Sequence, residues 1–188
     1  MKRLVLASAS PRRKEIFEQL GFAFEVMPSS KEPPMRDGDD IREAVFNSAR
    51  TKAEDIFESN RDALVVGADT VVVLDSKAIG KPKDENDAKN MLRSLSGRVH
   101  EVLTGVFVCS EDTQKGFVAS TKVEFYELSD EEIEWYVGTG EPMDKAGSYG
   151  IQCKGVRFVK GIVGDYFNVV GFPAAEFMRT FKEELQND

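Results

Sequence analysis

The sequence LVLASASPRRKEIFEQL, residues 4–20, decides how the chain begins and indicates its fold class. Its first four residues are apolar, and the run is short enough for one buried strand. Ser10 suits an N-cap, and Pro11 suits the first helical position, because the N–H that proline lacks would be unpaired there anyway. The stretch therefore predicts a strand, a tight turn and a helix, the βα unit from which α/β proteins are built.

The turn of this unit is suited to an anion, because open N–H groups and the positive end of the helix dipole point into it. If the helix covers residues 11–20, Ile16, Phe17 and Leu20 form its apolar stripe. Arg13 precedes the first two by three and four residues, so we expect its side chain on the inward face. An inward arginine at such a turn indicates phosphate. From this stretch alone, a solvated basic first turn is the alternative, since short motifs often match by chance.

Composition bounds the function classes. The chain has 188 residues and a formal net charge of −8. That charge argues against a nucleic-acid polymer as partner, because such binding needs a basic surface. No apolar run approaches the roughly 20 residues that span a bilayer, and no leader precedes the first strand. We therefore expect no membrane partner and a cytoplasmic location.

The residues available for chemistry are also limited. Cys109 and Cys153 are too few for a disulfide framework or a zinc site. His100 is the single histidine, and a hydrogen-bonded structural role is expected for it. Proton transfer then falls mainly to carboxylates or lysines. A metal would be held by oxygen ligands, which suit Mg²⁺ or Mn²⁺ better than Zn²⁺.

A long amphipathic helix is predicted from residue 41 to about residue 60, capped by Asp39 or Asp40. Lys52 falls near the middle of its apolar stripe at 100° per residue. Two explanations are open for that lysine. Its stem can lie along the apolar surface with the ammonium at an edge, or the ammonium can serve a bound anion.

The second informative stretch is ALVVGADTVVVL, residues 63–74, which is typical of a central strand buried on both faces. An aspartate in mid-strand, Asp69, is costly unless it is paired, metal-bound or facing a cleft. Gly67 allows another backbone or a ligand to come close. A bulge or a solvated strand end is the alternative, but a carboxylate in this setting favours chemistry.

The second half of the chain alternates strands, helices and one long loop. A glycine-rich loop over residues 138–155 contains Gln152, and loops of this length in compact domains are uncommon unless functional. The expected elements are helices over residues 84–95, from Ser129 to Gly138 and from Pro173 onward, and strands over residues 100–109, 116–126, 156–159 and 166–170.

Taken together, these motifs resemble the Maf family of nucleoside triphosphate pyrophosphatases. The resemblance runs in order along nearly the whole chain, and the series in register is far more specific than any one piece. Its pieces are Ser8-Ala9-Ser10-Pro11-Arg12-Arg13, Glu32, Lys52, Gly67-Ala68-Asp69-Thr70, Gly80-Lys81-Pro82, Ser96-Gly97-Arg98 with His100, Thr104-Gly105-Val106, Lys145-Ala146-Gly147 with Tyr149-Gly150-Ile151-Gln152, and Asn168-Val169-Val170-Gly171 with Pro173.

The resemblance implies an α/β fold over residues 1–188, similar to that of inosine triphosphate pyrophosphatases. In it, an elongated mixed central sheet flanked by helices forms one domain, with a cleft between two lobes that share the sheet. It implies hydrolysis of a nucleoside triphosphate to the monophosphate and pyrophosphate with Mg²⁺ or Mn²⁺. Within the family, the match is to the dTTP/UTP subfamily, with modified pyrimidine nucleotides as further candidates. A homodimer is left open.

The resemblance also implies roles for particular residues. Asp69 matches the family's proposed general base, and Arg12, Thr70 and Gln152 match positions tied to base selectivity. Cys153 departs from the family pattern, where glycine is expected. The residue chemistry agrees with this reading, since a triphosphate needs cations, N–H donors and metal ligands around it. The candidate cations are Arg12, Arg13, Lys52 and Lys81; the turn from Ser8 to Ser10 supplies donors; and Glu32 with Asp69 supplies carboxylates for the metal.

Two other functions compete with this hypothesis. One is a nucleotide-binding regulator without turnover, linked to cell division. The other is a pyrophosphatase for a modified purine nucleotide. Asp69 together with the cations favours turnover, because a pure binder would not need that combination. Thr70 and Gln152 disfavour a purine by resemblance alone.

Overall fold

The structure is a computed structural model that describes residues 2–31, 33–34 and 38–186. In these ranges no helix is both long and apolar enough to cross a bilayer. The strands are β1 (Arg3–Leu6), β2 (Phe24–Val26), β3 (Ala63–Leu74), β4 (Lys77–Ile79), β5 (Val99–Cys109), β6 (Gln114–Phe125) and β7 (Val159–Val163). The α-helices are α1 (Pro11–Gln19), α2 (Ile41–Glu58), α3 (Glu85–Leu95), α4 (Asp130–Val137), α5 (Tyr166–Val170), α6 (Ala174–Thr180) and α7 (Lys182–Gln186). Short 3-10 helices cover Glu141–Asp144, Ala146–Ser148 and Cys153–Phe158.

The strands form one mixed sheet with the order β2-β1-β3-β5-β6-β7, and β4 pairs with β3 off this path. Strand β1 is parallel to both β2 and β3. Strands β4 and β7 are antiparallel to β3 and β6, respectively. A mixed sheet with intervening helices confirms the predicted α/β class.

The chain divides into two compact units. The first comprises the described residues within 1–70, 104–119 and 171–188, and the second comprises residues 71–103 and 120–170. Each unit has its own apolar core. The first core contains Val5, Ala7, Ala49, Ala53, Phe57, Ala63, Val65, Phe107 and Cys109. The second is centred on Leu92, Leu95, Val123, Phe125, Ile133, Tyr136, Tyr149 and Phe158.

Two glycines allow helix α2 to lie directly on the sheet of the first unit. A Cβ on Gly67 of β3 would stand 2.2 Å from the carbonyl oxygen of Ala49. A Cβ on Gly105 of β5 would stand 2.6 Å from the carbonyl oxygen of Val45. Since real Cβ atoms do not approach other atoms so closely, any larger residue would push the helix away. The close approach predicted at Gly67 is therefore present, and its partner is the backbone of α2.

Most predicted helices and strands are present, and the caps agree. Ser10 accepts the N–H of Arg13 as N-cap of α1, and Asp40 caps α2. Ser129 forms a capping box with Glu132 at the start of α4.

Two strand predictions were wrong. Residues 156–158 end a 3-10 helix, and the strand begins at Val159. Residues 166–170 form helix α5, where the carboxylate of Asp165 accepts the N–H of Phe167. The helix is also held by Asn168, whose amide donates to the carbonyl of Val102 and to the hydroxyl of Thr121, both at 3.0 Å. A short apolar run does not distinguish strand from helix by its periodicity, and here tertiary contacts decide.

Candidate active site

The turn between β1 and α1 is organised by Arg13. Its side chain is only 8% exposed, although it lies in the first turn of a helix. Its Nη1 donates to Ser8 Oγ at 3.0 Å, its Nη2 donates to Thr70 Oγ1 at 2.9 Å, and its Nε donates to the carbonyl oxygen of Gly171 at 2.9 Å. The prediction of an inward arginine is confirmed, and a solvated first turn is wrong for this residue. The guanidinium joins the turn to the middle of β3 and to the segment before α6.

The turn itself presents backbone donors. Ser8 is buried, and its hydroxyl also accepts the N–H of Ser10 at 3.3 Å. The N–H groups of Ser8 and Ala9 donate to no acceptor within the part of the chain that the structure describes. These donors lie just before the N-terminus of α1, where the helix dipole favours negative charge. The other arginine of the motif, Arg12, is half-buried on α1. This arrangement of N–H donors beside a helix N-terminus is chemically suited to an anion, as the sequence predicts.

Lys52 and Asp69 form an ion pair on the same unit. The Nζ of Lys52, on α2, lies 2.8 Å from Oδ1 of Asp69, on β3. The side chains are 12% and 22% exposed, respectively, so both charges are largely removed from water. Each charge offsets the desolvation of the other. The pair therefore explains how a lysine is tolerated on an apolar helix face and an aspartate in mid-strand.

Thr70 directly follows Asp69, and its hydroxyl makes its hydrogen bonds within the protein. Its Oγ1 accepts from Arg13, lies 3.0 Å from Thr104 Oγ1 and is 3.4 Å from the carbonyl oxygen of Gly171. Thr104 is fully buried on β5. Sequence reasoning counted Thr104 and Gly171 among the motifs but gave them no role. Their contacts join positions up to 158 residues apart, and no local pattern indicates such a pairing.

The remaining candidate residues belong to the second unit or lie outside the described residues. Lys81 is exposed in the second unit, two residues after the end of β4. Gln152 is half-buried in the second unit, between a buried Ile151 and an exposed Cys153. The carboxamide of Gln152 makes no hydrogen bond in the described part of the chain. Glu32, the second predicted metal ligand, lies outside the described residues.

Cys153 has a φ of +55°, in the left-handed region that favours glycine. The family pattern expects glycine at this position, and the backbone conformation matches that expectation. The cysteine therefore keeps a glycine-like conformation at the cost of some strain. Gly147 and Ser148, with φ of +67° and +59°, give the same loop two further left-handed residues.

His100 is structural, as predicted. Its Nε2 lies 2.7 Å from the hydroxyl oxygen of Tyr149, and its ring packs edge-on against Phe125. Burial lowers the pKa of His100 to about 4, so the ring is neutral at physiological pH.

The described residues contain no cluster of three or more metal-ligating side chains. A magnesium site does not require one, because Mg²⁺ is usually held by one or two carboxylates together with substrate phosphates and water. Oδ1 of Asp69 contacts Lys52, while its Oδ2 has no protein hydrogen-bond partner within the described ranges. This oxygen fits a hard divalent cation shared with a phosphate.

The fold and this geometry define an α/β protein whose first unit carries a buried arginine at a strand–helix turn and a carboxylate–ammonium pair. The family model described as Maf, Maf-like protein, matches residues 3–184. The chain belongs to the Maf family.

Curated relatives agree with this assignment. A Bacillus pumilus protein named dTTP/UTP pyrophosphatase is 48% identical over 182 residues, covering 97% of this chain and 96% of the relative. A Bacillus cereus protein of the same name is 46% identical over 183 residues, with the same coverage. Among solved structures, a nucleoside-triphosphatase / dITP/XTP pyrophosphatase from Mycobacterium abscessus aligns with a TM-score of 0.48 at 12% identity, covering 98% of this chain and 100% of that one.

Proposed function

We propose that this protein hydrolyses dTTP and UTP to the nucleoside monophosphate and pyrophosphate. The observation that carries the proposal is the ion pair of Lys52 and Asp69, at 2.8 Å, on the unit that also holds the anion cradle. In this pair, a carboxylate able to accept a proton lies beside a cation able to bind a phosphate. The names of the Bacillus relatives support the same reaction.

In the proposed reaction, the oxygen of a water attacks the α-phosphorus as the bond from that phosphorus to the α–β bridging oxygen breaks. Asp69 orients the water and accepts one of its protons as general base. Pyrophosphate leaves with the bridging oxygen and its electron pair. The proton on Asp69 is then released to solvent, which returns the carboxylate to its starting state.

Most of the rate is expected from positioning and electrostatics. The cradle N–H groups of Ser8 and Ala9 donate to phosphate oxygens, and the cation of Lys52 neutralises negative charge. Arg13, fixed by Ser8, Thr70 and Gly171, keeps its own positive charge at the turn. Asp69, with Glu32 as the proposed second ligand, would hold Mg²⁺ or Mn²⁺. The metal, when bound, supplies charge neutralisation on the phosphates.

Base selectivity is assigned to Gln152. A carboxamide both donates and accepts, so it matches the N3–H and O4 edge of uracil or thymine. Because the amide can turn over to suit cytosine, rejection of CTP requires a second fixed group in the loop around it. The hydroxyl of Thr70 is already bound within the protein, so its proposed part is to hold Arg13 at the phosphate-binding turn. Modified pyrimidines with the same edge belong to the same substrate class.

A product assay tests the proposal. dTTP, UTP, CTP, ATP and GTP are supplied singly with Mg²⁺ or Mn²⁺, and monophosphate, pyrophosphate and orthophosphate are measured separately. We expect equal monophosphate and pyrophosphate, with kcat/KM for dTTP and UTP at least ~10-fold above that for ATP and GTP. Release of orthophosphate alone, a purine preference, or tight binding without turnover would each overturn it.

The substrate is proposed to be a free cytoplasmic nucleotide rather than a nucleic-acid polymer. The net charge of −8 disfavours a polyanionic chain. A single triphosphate, by contrast, requires only a local group of donors and cations of the kind found at the β1–α1 turn.

A further inference from the structure

The short loop that carries Gln152, residues 150–155, is held at both ends by the side chains of Tyr136 and Glu141. At its start, the N–H of Gly150 donates to the hydroxyl oxygen of Tyr136 at 3.2 Å. That hydroxyl donates in turn to Oε1 of Glu141 at 3.0 Å. At its end, Oε2 of Glu141 accepts the N–H of Lys154 at 3.3 Å.

A second hydrogen bond to Glu141 holds the C-terminal end of this loop. Oε1 of Glu141 also accepts the N–H of Gly155 at 3.3 Å. A Cβ on Gly155 would stand 2.3 Å from the carbonyl oxygen of Gly150 and 3.0 Å from the hydroxyl of Tyr136. The two ends of the loop are therefore in contact, and only glycine fits where they meet. Gln152 lies at the middle of a loop whose base is closed by one hydroxyl and one carboxylate.

Both side chains are suited to a permanent fastening. Tyr136 is fully buried and packs edge-on against Phe158 at 4.9 Å between ring centroids. Burial raises the pKa of its hydroxyl above the ordinary value, so the hydroxyl keeps its proton and remains a donor to Glu141. Glu141 opens a short 3-10 helix and is itself only partly exposed. Neither side chain belongs to the anion cradle, which lies in the other unit.

The backbone beside Gln152 is strained. Cys153 follows it with a φ of +55°, and Ser148, four residues before it, has a φ of +59° and is fully buried. Strained residues persist only where the surroundings determine their conformation, and they concentrate at functional sites. A loop closed at its base and strained beside the half-buried side chain of Gln152 is built to hold that carboxamide in one orientation.

We propose that Tyr136 and Glu141 are positioning residues that fix the Gln152 loop and so set the base selectivity. This inference rests on the proposed function, because it assigns the reading of the base to Gln152. Loosening either fastening lets the carboxamide sample several orientations. The matched base then loses its advantage, while the phosphate-binding turn is unchanged.

The test uses two nearly isosteric variants of the full-length protein, Tyr136→Phe and Glu141→Gln. We expect each to lower the ratio of kcat/KM for UTP to that for ATP by at least ~5-fold, chiefly through a higher KM for UTP. Inhibition by inorganic tripolyphosphate, which has no base, should stay within about twofold of wild type. Tyr126→Phe, at an exposed tyrosine of the same unit, is the matched control and should change nothing.

A double-variant cycle separates positioning from general damage. If Tyr136 acts through Gln152, then Tyr136→Phe should lower the UTP/ATP ratio little further in a Gln152→Ala background. Amide hydrogen exchange at Gly150, Lys154 and Gly155 should accelerate in both single variants. Variants that keep the wild-type ratio, or whose effect on it adds fully to that of Gln152→Ala, would overturn the inference.

The two proposals fail in different ways. If wild type shows no preference among bases, the assignment of Gln152 within the proposed function fails. If wild type prefers UTP and both variants keep that preference, the proposed function stands and the positioning role is wrong. If Tyr136→Phe does not fold, Glu141→Gln with the same readouts decides the question.

Discussion

Lys52 Nζ and Asp69 Oδ1 lie 2.8 Å apart, which joins helix α2 to the middle of strand β3. Each residue alone is out of place, a lysine on an apolar helix face and an aspartate inside a β-branched strand. Together they form a neutral pair at the point where Gly67 lets the helix approach the sheet. The proposed chemistry depends on this pair.

Asp69→Asn should lower kcat by at least about 100-fold, because asparagine cannot accept the proton of the attacking water. The carboxamide oxygen can still accept from Lys52, so the fold should survive. UTP should still bind through the unchanged turn between β1 and α1, although one carboxylate of the proposed metal site is lost. Turnover and equilibrium binding of a non-hydrolysable UTP analogue are the two measurements. Turnover near wild type would exclude Asp69 as general base.

Lys52→Met should weaken UTP turnover and also lower the free energy of unfolding by about 1 kcal/mol, since Asp69 is left partly buried without its partner. A lysine on an apolar face would by itself suggest the opposite sign of stability change. Urea denaturation of Lys52→Met, Asp69→Asn and the double variant measures the coupling. The double variant should be more stable than Lys52→Met, and strictly additive losses would show that the two side chains do not interact.

Thr70→Val should raise the inhibition constant for inorganic tripolyphosphate about tenfold. The variant removes the oxygen that accepts from Arg13 Nη2, and a hydrogen bond to a charged group contributes about 1.5–3 kcal/mol. Thr70→Ser, which restores the oxygen, is the matched rescue. If Thr70→Val changes the UTP/ATP ratio and leaves tripolyphosphate inhibition alone, Thr70 reads the base directly and its link through Arg13 is not functional.

His100 should make the protein less stable in mild acid. Its pKa is about 4 in the folded state against 6.5 for the unperturbed side chain, so the unfolded chain binds more protons between these values. Stability from this group is complete above pH 6.5 and is lost as the pH falls toward 4, by about 2 kcal/mol at pH 5.

Urea denaturation of wild type and His100→Gln at pH 7.5 and pH 5 measures this contribution. The variant is expected to be less stable at pH 7.5, but its further loss on going to pH 5 should be about 2 kcal/mol smaller than that of wild type. Equal losses in the two proteins would assign the acid sensitivity to other groups.

Sequence reasoning found the candidate residues better than it found their partners. The 3.6-residue period placed Arg13 and Lys52 on inward faces, and the structure confirms both positions. The pairing of Lys52 with Asp69 was not predicted, because periodicity fixes the face of a helix and not what that face meets. For the same reason, the hydrogen bond from Arg13 to Gly171 and the contact of Thr70 with Thr104 could not be predicted from periodicity.

The wrong predictions for the second half of the chain have a related cause. Tyr166–Val170 reads as a strand because it is short and apolar, and it becomes a helix because Asn168 and Asp165 bond to the protein around it. The pair of Tyr136 and Glu141 was missed because the two residues lie on different elements, Tyr136 on α4 and Glu141 at the start of a short 3-10 helix. Nothing in the local sequence indicates that both reach the same backbone.

Hydrolysis of UTP in ¹⁸O-labelled water, followed by mass spectrometry of the separated products, tests the central claim most directly. Attack by water at the α-phosphorus predicts one ¹⁸O atom in uridine monophosphate and none in pyrophosphate. Label in pyrophosphate or in released orthophosphate, with unlabelled monophosphate, would place the attack at another phosphorus and contradict the account.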